Sequence, residues 1–134
     1  MDLFEYQGKQ VFGSFGMPVS PGDAVTTVDD AVAAAERLGP PVMVKAQVHT
    51  GGRGKAGGEK FAATVDDGRT HAPNSLGLDL KGHIVENLWI EKASDNSEEY
   101  YASVTLDRSK TLHLGMLSAE GGVEIETVAA ENPD

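Results

Sequence analysis

The chain of 134 residues contains no cysteine. That absence excludes a disulfide framework, a thiolate zinc site and a cysteine nucleophile, and four scattered histidines (His49, His71, His83 and His113) are a poor substitute as metal ligands. Long apolar runs are also missing. Nothing approaches the roughly 20 residues needed to cross a bilayer, and residues 1–10 are acidic and amphipathic rather than a basic leader followed by an apolar stretch. No membrane partner is expected, and the cytoplasm is the expected location. Positive charge is scarce as well: 11 Lys and Arg stand against 21 Asp and Glu, a net charge of −10. A nucleic-acid partner held by charge neutralisation is therefore excluded, and any anionic ligand needs a local cluster of donors. The remainder, 40% hydrophobic and 24% charged, is the make-up of one globular domain or part of one.

The pattern along the chain is mixed helix and strand, without internal repeat or low-complexity linker. Asp2 with Glu5 three residues later predicts a capped helix carrying Phe4, Val11, Phe12 and Phe15, ended by Gly16-Met17-Pro18. Thr27 with Asp30 predicts a second helix, whose stripe of Ala31, Val32, Ala35 and Leu38 is closed by Gly39-Pro40-Pro41. Residues 41–48 alternate as a strand, with Val42, Val44, Ala46 and Val48 on one face and Met43, Lys45, Gln47 and His49 on the other. The glycine-dense segment 51–58 and a strand over 59–63 follow. Thr64 with Asp67 caps a third helix, expected to be short or broken because Gly68 and Pro73 interrupt it. Strands are expected at 84–92, 100–107 and 111–118, the last two joined by the turn Asp107-Arg108-Ser109-Lys110, with a final helix over 123–130. The sequence stops at Glu131-Asn132-Pro133-Asp134 where an element has just begun, so an incomplete domain is expected.

The chemistry concentrates in the glycine segment. Gly52-Arg53-Gly54-Lys55-Ala56-Gly57 matches G-x-G-x-x-G formally, but a dinucleotide site needs a helix next, and residues 59–63 read as strand. A P-loop needs Ser or Thr after Gly54-Lys55, where Ala56 stands. What remains is a flap between antiparallel strands, whose backbone amides close over phosphates while Arg53 and Lys55 add charge. Lys45, seven residues before Gly52 on the strand's polar face, is the natural partner; alone it reads as a solvated surface lysine, and beside the flap the phosphate reading prevails. Glu91 and Ser94 end an apolar strand, and Glu98-Glu99 opens the next. Such a crossing offers backbone groups to a base and a carboxylate to ribose hydroxyls, and reads equally well as a charged hairpin rim.

Residues 2–10 (DLFEYQGKQ), Val44-Lys45-Ala46-Gln47-Val48-His49, the glycine segment 51–58 and residues 118–126 (SAEGGVEIE) together resemble the N-terminal part of the succinate–CoA ligase β subunit, ADP-forming. The resemblance runs over the whole chain, with four separated motifs in order. It implies an α+β chain with an ATP-grasp fold, incomplete at its C-terminal end, in which residues 21–94 form a first subdomain with the glycine flap, while 1–20 and 95–134 contribute to a second. It implies nucleotide contacts at Lys45, Gly52, Arg53, Gly54, Glu91, Ser94 and Glu99, with Lys45 neutralising phosphate, the flap covering it, Glu91 to Ser94 facing the base and Glu99 holding ribose. The implied reaction joins succinate, CoA and ATP to give succinyl-CoA, ADP and phosphate, as in the tricarboxylic acid cycle. It passes through an acyl phosphate and a phosphohistidine of a partner α subunit, so no histidine here is assigned that role. No catalytic residue and no metal ligand are expected within these residues, since the family's Mg2+ ligands lie beyond residue 134, as do its substrate-carboxylate loop and CoA-ligase domain. Alone, the chain is therefore expected to be inactive.

The sequence departs from the family at three places. Gly68 and Pro73 interrupt a helix that runs continuously in relatives, Asn96-Ser97 replaces a more apolar pair, and Ser20 occupies a position linked to the choice between ATP and GTP without deciding it. Two other readings stand beside the resemblance: a malate–CoA or related acid–CoA ligase, and a non-catalytic interaction module that self-associates through uncovered strand edges.

Overall fold

The computed structural model describes residues 2–119 and 121. The expected helix over 123–130 lies outside them. Contacts divide the chain into two compact units, one ending at Ser94 and the other beginning at Asp95.

The first unit contains α1 (Glu5–Ser14), β1 (Gly22–Val25), α2 (Val28–Leu38), β2 (Val42–Gln47), β3 (Glu59–Ala62), α3 (Val65–Ser75), β4 (Asp79–Leu80), β5 (His83–Ile84) and β6 (Asn87–Lys92). Its sheet runs β1-β6-β2-β3 with every neighbouring pair antiparallel. Because side chains alternate across a strand, the register sorts residues into two faces. Val42, Val44 and Ala46 of β2, Ala62 of β3, and Leu88 and Ile90 of β6 form the core with Ala31, Ala34 and Ala35 of α2 and Ala72 of α3. Each large aliphatic side chain buried there contributes roughly 1.5–3 kcal/mol. The alanines let α2 lie close to the sheet. The opposite face carries Met43, Lys45 and Gln47 beside Trp89 and Glu91 of β6, and Tyr6 of α1 stacks over Trp89 with ring centroids 6.0 Å apart.

Thr27 caps α2 as its spacing predicts, its hydroxyl accepting the Asp30 amide at 3.1 Å. The first helix starts later than expected. Phe4, not Asp2, stands at its N-cap, and the Phe4 amide donates to Gln7 Oε1 at 2.9 Å. Glu5 is thereby released from capping. None of the residues of α1 is fully buried; Phe12 and Phe15 of its predicted apolar stripe are exposed.

The third helix is continuous through Gly68 and Pro73, against the expected break. Thr64 and Asp67 satisfy each other's amides at its start, and Pro73 falls in the last turn, where its missing donor costs one helical bond and the helix ends two residues later. Gly68 is buried opposite Ala35 of α2. The strand expected over 84–92 is instead two, β5 and β6, and β5 pairs with β4. Within the interval, the Val85 amide donates to Leu78 O and its carbonyl accepts the Gly77 amide, and these bonds replace ladder pairing. The two-residue β4 and the four-residue β1 have no counterpart in the sequence reading. Residues 1–20, grouped there with 95–134, contact residues 21–94 through α1.

In the second unit β7 (Tyr101–Asp107) and β8 (Leu112–Ser118) pair antiparallel, with Tyr101 opposite Ser118 and Asp107 opposite Leu112. The predicted turn holds because Asp107 Oδ1 accepts the amides of Ser109 and Lys110 at 2.9 and 3.1 Å.

Candidate functional site

Lys45 is not a solvated surface lysine. Its side chain is 16% exposed, and its ammonium lies 2.5 Å from Glu91 Oε2 and 3.3 Å from Glu5 Oε1. Burial alone would lower its pKa, but the hydrogen bond to Glu91 and the charges of Glu5 and Glu91 outweigh that and raise it above the ordinary lysine value. The lysine is thus a fixed, charged donor on β2.

Arg53 leaves the glycine loop and turns back onto the same face. Its Nη1 donates to Ala46 O at 3.0 Å, and its Nη2 lies 2.7 Å from Glu5 Oε2 and 3.7 Å from Glu59 Oε1. The loop itself is wound into turns rather than spread as a flat flap. Gly58 N donates to Arg53 O at 2.8 Å, and Ala46 N to Gly58 O at 2.7 Å. Gly52 takes a φ of 71°, in the left-handed region where glycine alone is unstrained. Among the described residues, none accepts a hydrogen bond from the amides of Gly52, Arg53 or Gly54. These donors, with Glu5 and His49, line a cleft of about 760 Å³.

Glu91 is buried, 4% exposed, which removes the hairpin-rim reading for it. Its two oxygens are held by Lys9 and Lys45. Lys45, Arg53, the loop glycines and Glu91 thus share one face of the first unit. Ser94 does not join them. It is exposed, five residues past Lys45's cross-strand partner Trp89, and its hydroxyl meets that of Ser20 at 3.3 Å. Glu99 belongs to the second unit, where its carboxylate accepts from Asn96 at 3.0 Å.

Sequence reasoning missed Glu5, Lys9, Gln47 and Glu59. Glu5 joins the whole cluster: beyond Lys45 and Arg53 it pairs with Lys9 at 3.1 Å and accepts from Gln47 Nε2 at 3.4 Å. The available signal was the i,i+4 spacing of Glu5 and Lys9. Burial pushes the Glu5 carboxyl up, but the Lys45 charge, the Arg53 bond and the Lys9 charge together hold it down at about 2, against an ordinary 4.5. A depressed folded-state value stabilises the fold above the unfolded value and loses that contribution as pH falls. The wild-type melting temperature is therefore expected to drop between pH 5 and pH 2, corresponding to as much as about 3 kcal/mol at full protonation. The same drop in Glu5→Gln would reject this assignment.

Among the described residues, no group of three or more His, Asp or Glu is arranged to hold a metal ion. No helix among them is long and apolar enough to cross a membrane.

Solved structures repeat this fold. The acetyl-coenzyme A synthetase 1 of Ca. Korarchaeum cryptofilum, solved with coenzyme A and Ca-AMPCP, superposes with a TM-score of 0.76 at 19% identity, over 95% of this chain and 57% of that one. PH1788 from Pyrococcus horikoshii gives 0.69 at 21% identity, over 93% and 55%. The biotin carboxylase domain of a thermophilic 2-oxoglutarate carboxylase, bound to ADP, gives 0.54 at 24% identity, over 78% and 23%. The chain thus spans little more than half the length of the first two. The family model described as ATP-grasp domain matches residues 2–134. The chain belongs to the ATP-grasp domain family, and its mixed helix-and-strand fold is the ATP-grasp fold expected from the sequence.

Proposed function

We propose that this chain is the N-terminal, phosphate-holding part of the β subunit of an ADP-forming acid–CoA ligase, with succinate as the acid. The observation that carries the reading is the meeting of Lys45 and Arg53 beside the glycine loop, where both reach one carboxylate, Glu5. Two neighbouring cations, with the loop amides that line the cleft, suit the oxygens of a nucleoside triphosphate, since charge-assisted donors are roughly twice as strong as neutral ones. ATP, or GTP, supplies the phosphoryl group that activates a carboxylate for transfer to CoA. Ser94, beyond the end of β6 and on the order of 15 Å from the Lys45 row, suits the base end of an extended nucleotide.

Succinate rests on the four sequence motifs, and the similarity to an acetyl-coenzyme A synthetase supports the broader acid–CoA ligase class. Trp89 reports on the site because it is the cross-strand partner of Lys45 and the chain's only tryptophan. Mg-ATP is expected to change its fluorescence saturably. A folded protein giving no saturable change would remove the nucleotide-binding reading and favour a non-catalytic interaction module. That alternative draws on the apolar side chains of β7 and β8, where Val104 and Leu117 are 76% and 82% exposed.

A further inference from the structure

Phosphate binding at this face meets an electrostatic obstacle within the chain. Three cations, Lys9, Lys45 and Arg53, are matched by three carboxylates, Glu5, Glu59 and Glu91. Lys45 and Arg53 are thus already engaged by carboxylates, and a polyphosphate takes up their charge in full only if some of these ion pairs open. Their geometry differs in a way that selects which one. Glu91 is buried on β6, between two lysines. Glu59 is 3.7 Å from Arg53 and more exposed. Glu5 stands at the first turn of α1 and lines the same cleft as the loop glycines. One of its oxygens takes both lysines and the other takes Arg53 and Gln47, the pattern of contacts that a phosphate oxygen would make.

Building on the nucleotide-site reading, we propose that Glu5 is an internal anion that holds Arg53 and Lys45 in place of a phosphate, and that nucleotide binding transfers these contacts from its carboxylate to the phosphate oxygens. The exchange is one of ion pairs, without bond making. Arg53 is the mobile member, because its backbone belongs to the glycine loop whereas that of Lys45 is fixed in β2. Releasing Arg53 from Glu5 also frees the loop from its tie to α1. Lys9 remains paired with Glu5, and Glu91 keeps its contacts with Lys9 and Lys45. Glu5 consequently sets phosphate affinity from below: it keeps the cations charged and oriented, and competes for them.

Glu5→Gln removes the competing charge while keeping an oxygen that can accept from Lys45 or Arg53. Calorimetric titration of the 134-residue chain with inorganic tripolyphosphate, which has neither base nor ribose, is expected to show five- to tenfold tighter binding in Glu5→Gln, the scale of one like charge removed at close range in a partly solvated site. Mg-ATP gains by the same factor and adenosine affinity stays unchanged. A merely structural role would move adenosine as well, and an equal gain for adenosine overturns the proposal. Glu5→Asp, whose carboxylate is drawn back by one methylene, is expected to gain part of the factor; it carries the test alone if Glu5→Gln fails to fold, and binding equal to or weaker than wild type then overturns it. Wild-type binding that depends on Lys45, with no gain in Glu5→Gln, overturns the displacement and leaves the site intact. Absence of tripolyphosphate and ATP binding in wild type and in both folded Glu5 variants removes the site itself, and the displacement with it.

Discussion

Lys45→Ala is expected to weaken Mg-ATP binding by roughly ten- to a hundredfold. A hydrogen bond to a charged group contributes about 1.5–3 kcal/mol, and each 1.4 kcal/mol is a factor of ten. The estimate applies because the lysine is already fixed: β2 holds its backbone between β6 and β3, and Glu91 and Glu5 hold its ammonium. Little side-chain entropy is left to lose on contact with phosphate. Removing it also leaves Glu91 with Lys9 alone, and loss of one member of a buried ion-pair cluster costs about 2 kcal/mol of stability here, less than for a carboxylate left with no partner. The two effects separate by experiment. Binding is measured by Trp89 fluorescence well below the variant's melting temperature, and Lys45→Arg, which keeps the charge, is expected to recover much of the affinity. Unchanged affinity in a folded Lys45→Ala protein would show that β2 does not face the phosphates.

Gly22→Ala is expected to destabilise the first unit by about 3 kcal/mol, at the upper end of the cost of overpacking. A Cβ on Gly22 would come within 2.5 Å of the Trp89 indole and 2.8 Å of the Ile90 carbonyl oxygen. Neither neighbour gives way cheaply: the oxygen belongs to the β6 backbone, and the indole is 5% exposed beneath Tyr6. Gly8→Ala is the contrasting case. Gly8 lies inside α1 with nothing within 4 Å of the added carbon, so the higher helix propensity of alanine is expected to add about 0.5–1 kcal/mol. Thermal melts of the two variants should therefore shift in opposite directions. Equal shifts would mean that β1 does not pack against Trp89 as described.

Gly22 also shows why β1 escaped a reading by local pattern. Gly22-Asp23-Ala24-Val25 has one strong strand former in four residues. It is a strand because β6 offers a free edge and because only glycine fits beside the Trp89 ring, and neither fact is written in neighbouring residues. The α3 reading failed for the opposite reason. Proline breaks a helix interior, but Pro73 stands in the last turn, where little remains to be broken. The elements read correctly carry their signals locally: Thr27 before α2, alternation in β2 and the glycine segment before β3.

The candidate site divides the same way. Lys45 and Arg53 were legible because they lie eight residues apart across one strand end and its loop. Glu91 was legible as a polar end to an apolar strand, but its burial between two lysines was not. Glu5 lies 40 residues from Lys45 and 48 from Arg53 in the chain. Its local spacing reads as a helix cap, and only the docking of α1 on the polar face of the sheet turns it into the centre of the cluster. Ion pairs of such sequence separation follow from topology rather than from pattern.

The central claim is that nucleoside triphosphate phosphates bind at the β2 and glycine-loop face. It is tested most directly by amide chemical-shift mapping of the 15N-labelled chain titrated with Mg-ATP. The account predicts saturable shifts concentrated at Gly52, Arg53 and Gly54 and at Lys45 and its neighbours on β2, with α2 and α3 on the opposite face of the sheet unaffected. Saturable shifts confined to α2 and α3, or a folded spectrum that Mg-ATP leaves unchanged, would contradict it.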